Sequence, residues 1–414
     1  MRNRKLTIKD ICTFVGGSQP PKTEFIYEPK EGYIRLIQTR DRLNDDYATY
    51  IPEKCTKKLC EPSDILIGRY GPPIFQIFRG FMGAYNVALM KAVPKENIEN
   101  DYLYYFLQQK SILKYVESMS LRTGGQTGVE LDSLYEYPIN LPDKDVQRKI
   151  ITILKGLDDK IENNKKIIGE LRNISKTIYD YWFLQFEFPN KDIKPYKSSD
   201  GKMIWNNDME KEIPENWEVK QLDFLGEIVA GGTPSTVKDE YFCKDGIAWI
   251  TPNDIAKRNT MYIAHGDTDI TELGLKKSSA KIIPKGSILL TSRAPIGYIS
   301  IASNEVCTNQ GFKSIIPKKK FGTQFVFYTI ISLIPYLKSL GSGSTFTEIS
   351  KDVVSKVKVI IPKEDIIEKY NKTVDPYGNR IELLERENEE LDSLRDYLLP
   401  LLMTGQVTFK NEEM

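Results

Sequence analysis

The sequence predicts an α+β protein built twice over, as two pseudo-symmetric globules joined by two long helices packed as an antiparallel coiled coil. Three observations predict it. The stretch TGGQTGVELDSLYEYPINLPDKD, from Thr123 to Asp145, returns near the end as STFTEISKDVVSKVKVIIPKED, from Ser344 to Asp365. Thr127 answers to Thr347, Val129 to Ile349, Leu134 to Val354, Ile139 to Val359 and Pro142 to Pro362, at one constant interval with no gap, so one structural unit occurs twice. Each copy is followed by a sustained heptad pattern, and each is preceded by strand-like runs in the same order.

The heptad seam of the first half runs Ile150, Leu154, Leu157, Ile161, Asn164, Ile168, Leu171, Ser175, Ile178, Trp182. That of the second runs Tyr370, Val374, Tyr377, Ile381, Leu384, Asn388, Leu391, Arg395, Leu398, Leu402. Steps of four and three over this length predict helices that pack along their whole length. Each would have ~35–40 residues and span roughly 50–60 Å. Asn164 and Asn388 lie one seam position apart. Such residues either fix register and partner or sit at the solvated edge of the seam. Gly156 and Pro376 share one repeat position and both weaken helices, so a kink or broken turn is expected there.

Upstream, GYIRLIQTRDRL, EPSDILIGRYGPPIFQIF and GAYNVALMKAVPKE in the first half parallel GIAWITPNDIAKR, IPKGSILLTSRAPIGYISIA and VCTNQGFKSIIPKK in the second. β-branched and aromatic runs between Gly, Pro and Asn turns predict short strands. A helix is expected over NDYLYYFLQQKSILKYV and over TQFVFYTIISLIPYLKSL. The expected divisions are a first globule at 1–142, its helix at 143–186, a polar linker at 187–215, a second globule at 216–361 and its helix at 362–406.

Composition narrows the function. The chain has 414 residues, enough for two to four domains, with 40% hydrophobic and 28% charged residues. Its 58 basic and 57 acidic residues leave a net charge of +1, so any nucleic-acid surface is a local patch. Five scattered cysteines without a CxxC pair, and one histidine, argue against an N/S-ligated metal and against Ser-His-Asp or Cys-His catalysis. His265 with Asp267 and Asp269 lacks a second ligand cluster and reads as a solvated loop. The odd cysteine count suits reduced thiols in the cytoplasm. MRNRKLTIKD has no apolar signal segment, and VFYTIISLIPYL is too short to span a bilayer.

No phosphate loop of the GxxxxGK[ST] type is present. YGPPIF, Tyr70 to Phe75, is similar to the loop with which amino-methyltransferases hold a flipped base, but Gly71 stands where the base-binding Asn or Asp would be. DPYG, Asp375 to Gly378, has one proline and lies inside the second seam. Neither is joined to a Gly-rich turn for S-adenosylmethionine.

The layout as a whole resembles the specificity subunit of type I restriction–modification enzymes. The resemblance spans essentially the full chain and rests on the duplicated loop–strand–Leu/Ile-Pro–helix segments. It rests also on ELDSLRDYLLPLLMTGQV at the end, and on GGTPS, WITPNDI, ILLTSRAPIGYISI and TNQGFKSI in the second half. The first half is less typical: GGSQPP and YIRLIQTRDR stand in the matching places, with Leu36 where the second half has Trp249. The resemblance implies two target-recognition domains, each reading one half of a split double-stranded DNA target, with the helices setting the gap. It implies two modification subunits that methylate adenine, and restriction (motor–nuclease) subunits in the full complex. S-adenosylmethionine, ATP and magnesium are expected on those partners, with no cofactor, metal or catalytic residue on this chain. A coiled-coil scaffold presenting two protein-binding heads is the alternative reading of the same heptads.

Base edges in the major groove are read by Arg, Asn and Gln, and phosphates by Lys, Arg, Ser and Thr. The candidate DNA contacts are therefore polar residues of the matching loops. In the first half they are Lys22, Arg40, Arg42, Arg69, Tyr70, Arg122 and Gln126. In the second they are Thr233, Ser235, Asn253, Asp254, Lys257, Arg258, Ser292, Arg293, Asn309, Gln310, Ser344 and Thr345. Arg69 and Arg293 stand at the same point of the repeat on this reading. Each is either a base reader or an arginine bracing its globule through an acid.

Overall fold

The computed structural model describes residues 6–42, 45–71, 73–123, 126–293, 295–341, 348–407 and 409, with the side chains of all of these but 121–123 and 126. Ser344, Thr345 and Thr347 lie outside the described residues. The chain falls into two compact units, Met1–Ile161 with Glu390–Met414, and Glu162–Glu389. Among the described residues no helix is long and apolar enough to cross a membrane.

The heptads form the two longest helices, Lys144–Tyr179 with 36 residues and Glu364–Met403 with 40. Neither Gly156 nor Pro376 breaks its helix, so the broken turn expected there does not form. Pro376 forfeits one backbone hydrogen bond, and packing of the residues on either side of it carries the helix through: Val374 and Ile381 are fully buried. The helices run antiparallel within each unit. In the first unit Asp158 pairs with Arg395 at 3.0 Å, while Ile150 and Leu154 share a core with Leu399, Leu402 and Met403. In the second, Asn164 meets Asn388, and Ile168 shares a core with Ile381 and Leu384. The remaining seam residues Leu157, Leu171, Ile178, Leu391 and Leu398 are half-buried, as Ile161 is not.

Asn164 is fully buried, which removes the solvated-edge alternative. Its amide nitrogen donates to Glu387 Oε2 at 2.8 Å and to Asn388 Oδ1 at 3.0 Å. A buried donor that satisfies acceptors on the opposite helix penalises any slip of one helix past the other. Asn164→Ala is expected to cost about 1–3 kcal/mol, because it removes two side-chain hydrogen bonds donated from a fully buried position. The denaturant midpoint of the intact chain checks this, and an unchanged midpoint would show that the pair contributes no stability.

The two globules repeat each other in hydrogen-bond register. The first has a four-stranded antiparallel sheet in the order Cys12–Gly16, Leu89–Pro94, Ile65–Gly68, Ile77–Phe78. The second has the order Gly226–Ala230, Lys313–Pro317, Ile288–Ser292, Ile296–Ala302, with Tyr262–Ile263 added in parallel at the edge. Ile65 pairs with Ala92 as Ile288 pairs with Ile315. In the smaller sheets Leu36 pairs in parallel with Ala84, and Trp249 with Cys307, so Leu36 and Trp249 do hold one station. The repeated stretch does the same work twice. Glu130 and Ser350 cap the short helices Leu131–Tyr135 and Lys351–Ser355, which bury Leu134 and Val354. The amide of Ile8 then binds Tyr137 O as that of Leu222 binds Val357 O, tying the start of each globule to the segment that leads into its long helix.

The polar segment 187–215 is a folded part of the second unit rather than a loose connection. The hairpin Met203–Asn206 with Lys211–Pro214 forms there, and Phe186, Phe188 and Ile213 join Trp217 in the core. Phe188 stacks on Trp217 at 4.9 Å and on Tyr196 at 4.5 Å.

A buried carboxylate fastens the second long helix to its globule. Glu385 accepts from the amides of Met261 and Tyr262, both at 2.8 Å. Burial outweighs these bonds and pushes its carboxyl up to about 7 from an ordinary 4.5. A raised acid holds its proton more tightly folded than unfolded. Its contribution is therefore full below about 4.5 and is lost as pH rises through about 7. The loss is expected to be roughly 3 kcal/mol. Denaturant unfolding at both ends of that window checks it: Glu385→Gln should flatten the fall, and an identical fall in the variant would assign it to other groups.

Candidate nucleic-acid interface

Matching backbone bonds define equivalent stations in the two globules. Asn86 N binds Ile37 O, and Asn309 N binds Ile250 O, both at 3.0 Å. Each asparagine then caps its own turn, Asn86 Oδ1 accepting from Ala88 N and Asn309 Oδ1 from Gly311 N. Against these turns pack Gly17 and Gly231. A Cβ on Gly17 would meet Asn86 O at 2.0 Å, and one on Gly231 would meet Asn309 O at 2.0 Å, so both stations require glycine. Gln19 and Thr233 follow at one station, and Val87 and Gln310 share another.

A second match runs through the acids. Asp41 Oδ2 accepts from Gln38 N at 2.9 Å, and Asp254 Oδ2 accepts from Thr251 N at 2.7 Å. Arg40 and Asn253 therefore share a station, and both are exposed. Asp254 is a correction to the sequence reading. It is 3% exposed, its Oδ2 closes the helix cap with Thr251, and its Oδ1 takes Asp267 N, so no oxygen is left for DNA. Asp41 is its buried counterpart, and burial holds its carboxyl above the ordinary range.

The third match shifts the arginines. Arg69 N binds Ala88 O at 2.8 Å, and Ser292 N binds Gly311 O at 2.7 Å. Arg69 O then accepts from Val129 N, and Ser292 O from Ile349 N. Arg69 is thus the counterpart of Ser292, and Tyr70 that of Arg293, one residue from the expected alignment. Tyr70 bridges to Gly128, and Arg293 to Glu348, in the same way. Ser292 is a further correction. It is fully buried, its hydroxyl donating to Gly311 O and receiving Lys313 Nζ.

Within the second globule the structure gathers Thr233, Arg293, Asn309, Gln310 and the helix start at Pro252 around Gly311. A Cβ on Gly311 would lie 3.0 Å from Asn309 Oδ1, 3.3 Å from Pro252 Cγ and 3.7 Å from Arg293 Cγ. Thr233 is hydrogen-bonded to Gln310. Ser235 is exposed on the same loop as Thr233. Lys257 and Arg258 sit at the far end of the helix Pro252–Arg258. Lys257 pairs with Asp267 at 2.9 Å and holds its carboxyl below the ordinary range. Arg258 turns to Glu389 at 3.2 Å and to the His265 ring, bracing globule to helix.

In the first globule Gly68 packs by Thr39 and Gln76, placing Arg40, Arg69 and Tyr70 close together. Arg40 lies over the Tyr47 ring, and Arg42 and Lys22 are exposed at separate turns. Arg122 and Gln126 lie in paired strands beside Tyr70–Gly71. Sequence reasoning missed Gln19, Asn86 and Val87; Asn86 in GAYNVAL against Asn309 in CTNQGF was the available signal. The YGPPIF loop turns on itself, since a Cβ on Gly71 would meet Pro73 O at 2.1 Å. Gly378 of DPYG serves packing, because a Cβ there would come within 2.2 Å of Gln324 Nε2.

A family model described as the type I restriction modification DNA specificity domain matches residues 3–173 and again 214–393. The MjaIX specificity subunit of Methanocaldococcus jannaschii is 38% identical over 218 residues, 51% of this chain and 50% of that one. The chain thus spans about half the length of that relative. The HindI specificity subunit of Haemophilus influenzae is 27% identical over 367 residues, 76% of this chain and 79% of that one. The crystal structure of a type I restriction–modification S subunit from M. genitalium shares the fold, with a TM-score of 0.57 at 15% identity, covering 99% of this chain and 98% of that one.

Proposed function

The chain belongs to the type I restriction–modification DNA specificity family, and from that premise we propose that it is the subunit that reads the address. Each globule reads one half of a split double-stranded DNA target. The long helices set the gap between the halves and dock two modification subunits that methylate adenine. Restriction subunits complete the assembly, with S-adenosylmethionine, ATP and magnesium held by these partners in the cytoplasm. This chain supplies recognition and no catalysis.

The observation that supports the reading is a repeated scaffold with unrepeated side chains. Backbone registers match station for station, while the same stations carry exposed Gln19, Arg40, Tyr70 and Val87 in one globule and half-buried Thr233 and Arg293 with exposed Asn253 and Gln310 in the other. Two readers of unlike half-sites need that combination. The near-zero net charge fits a chain whose phosphate contacts are few and whose grip is completed by partners.

Genome-wide adenine methylation, with and without this gene and with the modification subunit present, tests the proposal. A split sequence that vanishes on deletion establishes the reader, and exchange of one globule should alter one half only. Unchanged methylation with the modification subunit expressed and bound would leave the scaffold reading.

A further inference from the structure

The two globules solve one packing problem with cations from different strands. In the second, Lys313 is 7% exposed and reaches Ser292 Oγ at 3.3 Å and Glu348 Oε1 at 3.4 Å. The station of Lys313 is Met90 in the first globule, since Met90 pairs with Gly16 as Lys313 pairs with Ala230. The station of Ser292 is Arg69. The inner cation has therefore moved from the central strand to the end of its neighbour, and a sulfur side chain 1% exposed fills the vacated place.

Gly16, in place of Ala230, faces the relocated cation. Arg69 Nη1 lies 3.4 Å from the position a Cβ on Gly16 would take. The Arg69 guanidinium thus points across the sheet to its first strand, with Nε enclosed. It also lies against the ring of Tyr70, 5.3 Å from the centroid. Tyr70 itself is 39% exposed, comparable to Arg293 with 33% of its side chain exposed.

We propose that Tyr70 is the specificity-determining residue of the first globule, at the station Arg293 holds in the second, and that Arg69, turned inward beneath it, braces the sheet and reads no base. The proposal rests on the DNA-reading function and assigns its chemistry. An arginine fork suits the two acceptors of a guanine edge. A tyrosine ring with one hydroxyl suits an apolar contact, such as a thymine methyl, with a single hydrogen bond. The two halves of the target therefore differ at this station because of one side chain rather than because of backbone geometry.

The test maps adenine methylation in cells carrying the full chain with its modification subunit, as wild type, Tyr70→Ala, Tyr70→Arg or Arg69→Lys. Tyr70→Ala is expected to relax one position of the first half-site, lowering discrimination there about tenfold. Tyr70→Arg is expected to change the base preferred at that position. Arg69→Lys, which keeps the charge, is expected to leave both half-sites intact and to lower the melting temperature of the purified chain. The proposal is overturned if either Tyr70 variant methylates the wild-type sequence with wild-type selectivity, or if Arg69→Lys alters the half-site. Exchange of the whole first globule separates this from the function itself. If that exchange changes one half of the sequence while the Tyr70 variants do not, only the assignment of Tyr70 falls.

Discussion

Tyr370→Ala is expected to destabilise the second unit by about 3–5 kcal/mol, among the largest effects of a single change in the chain. Tyr370 is fully buried and closes an aromatic cluster. Its ring centroid lies 5.0 Å from Phe183, 5.9 Å from Trp182, 6.1 Å from Tyr179 and 6.4 Å from Phe325. The first three belong to the other long helix and the turn that ends it, while Phe325 belongs to the helix Thr323–Ser339 of the globule. One side chain therefore joins both long helices to the globule, and its removal opens a cavity at the junction. The hydroxyl has no hydrogen-bond partner among the described residues, and burial pushes it well above its ordinary value. Tyr370→Phe should therefore retain stability or gain about 1 kcal/mol. Denaturant unfolding of the three chains gives both numbers. A Tyr370→Ala chain within 1 kcal/mol of wild type would deny the cluster its role, and a large loss in Tyr370→Phe would mean that the hydroxyl is satisfied.

Most of the architecture was legible because it is periodic. Ile150, Leu154, Ile161, Ile168, Ile381 and Leu384 repeat at heptad spacing, and all are buried where the helices meet. The ungapped repeat around Leu134 and Val354 predicts one structural unit used twice, and both residues are buried in capped short helices. Propensity alone does not end either helix: one exposed glycine at 156 costs only about 1 kcal/mol, and the buried neighbours Val374 and Ile381 carry the second helix through Pro376. The segment 187–215 is the converse case. Its composition is polar, but Phe186, Phe188 and Trp217 at its edges form the core that folds it, and three aromatics count for more than the surrounding lysines.

The site was less legible, since polarity does not report direction. Asp254 in the first turn of its helix and Ser292 at the end of its strand are polar residues that sequence alone does not distinguish from exposed ones, yet both are buried and bonded to backbone. Thr251 three residues before Asp254 was the signal for a cap, and Gln38 before Asp41 the weaker echo of it. Arg69 and Arg293 were aligned by identity, whereas the sheet aligns by hydrogen bonds. A difference of one residue between the two loops reverses which side chain faces outward, because successive residues of a strand point to opposite faces.

Arg293→Ala is the matching test of the second globule, and its expected effect on recognition is large. Arg293 Nη1 lies 3.7 Å from Glu348 Oε2, long for an ion pair, and a third of the side chain is exposed. Glu348 also takes Lys313, so its charge is shared and the guanidinium is oriented rather than consumed. An oriented, partly exposed fork is pre-organised for a bidentate contact, and loss of one such contact costs about 1–3 kcal/mol of discrimination at one base pair. That corresponds to about fivefold to 150-fold weaker binding of the cognate sequence, with little change on sequences altered at that position. Binding by the complex with its modification subunit, measured on both duplexes over a range of salt, separates the possibilities. Weaker binding confined to the cognate duplex makes Arg293 a base reader. Equal weakening of both, with a shallower salt slope, makes it a phosphate contact. Unchanged binding with a lower melting temperature makes it a brace for Glu348, and recognition in this globule then falls to Asn253 and Gln310, the exposed amides on either side of it.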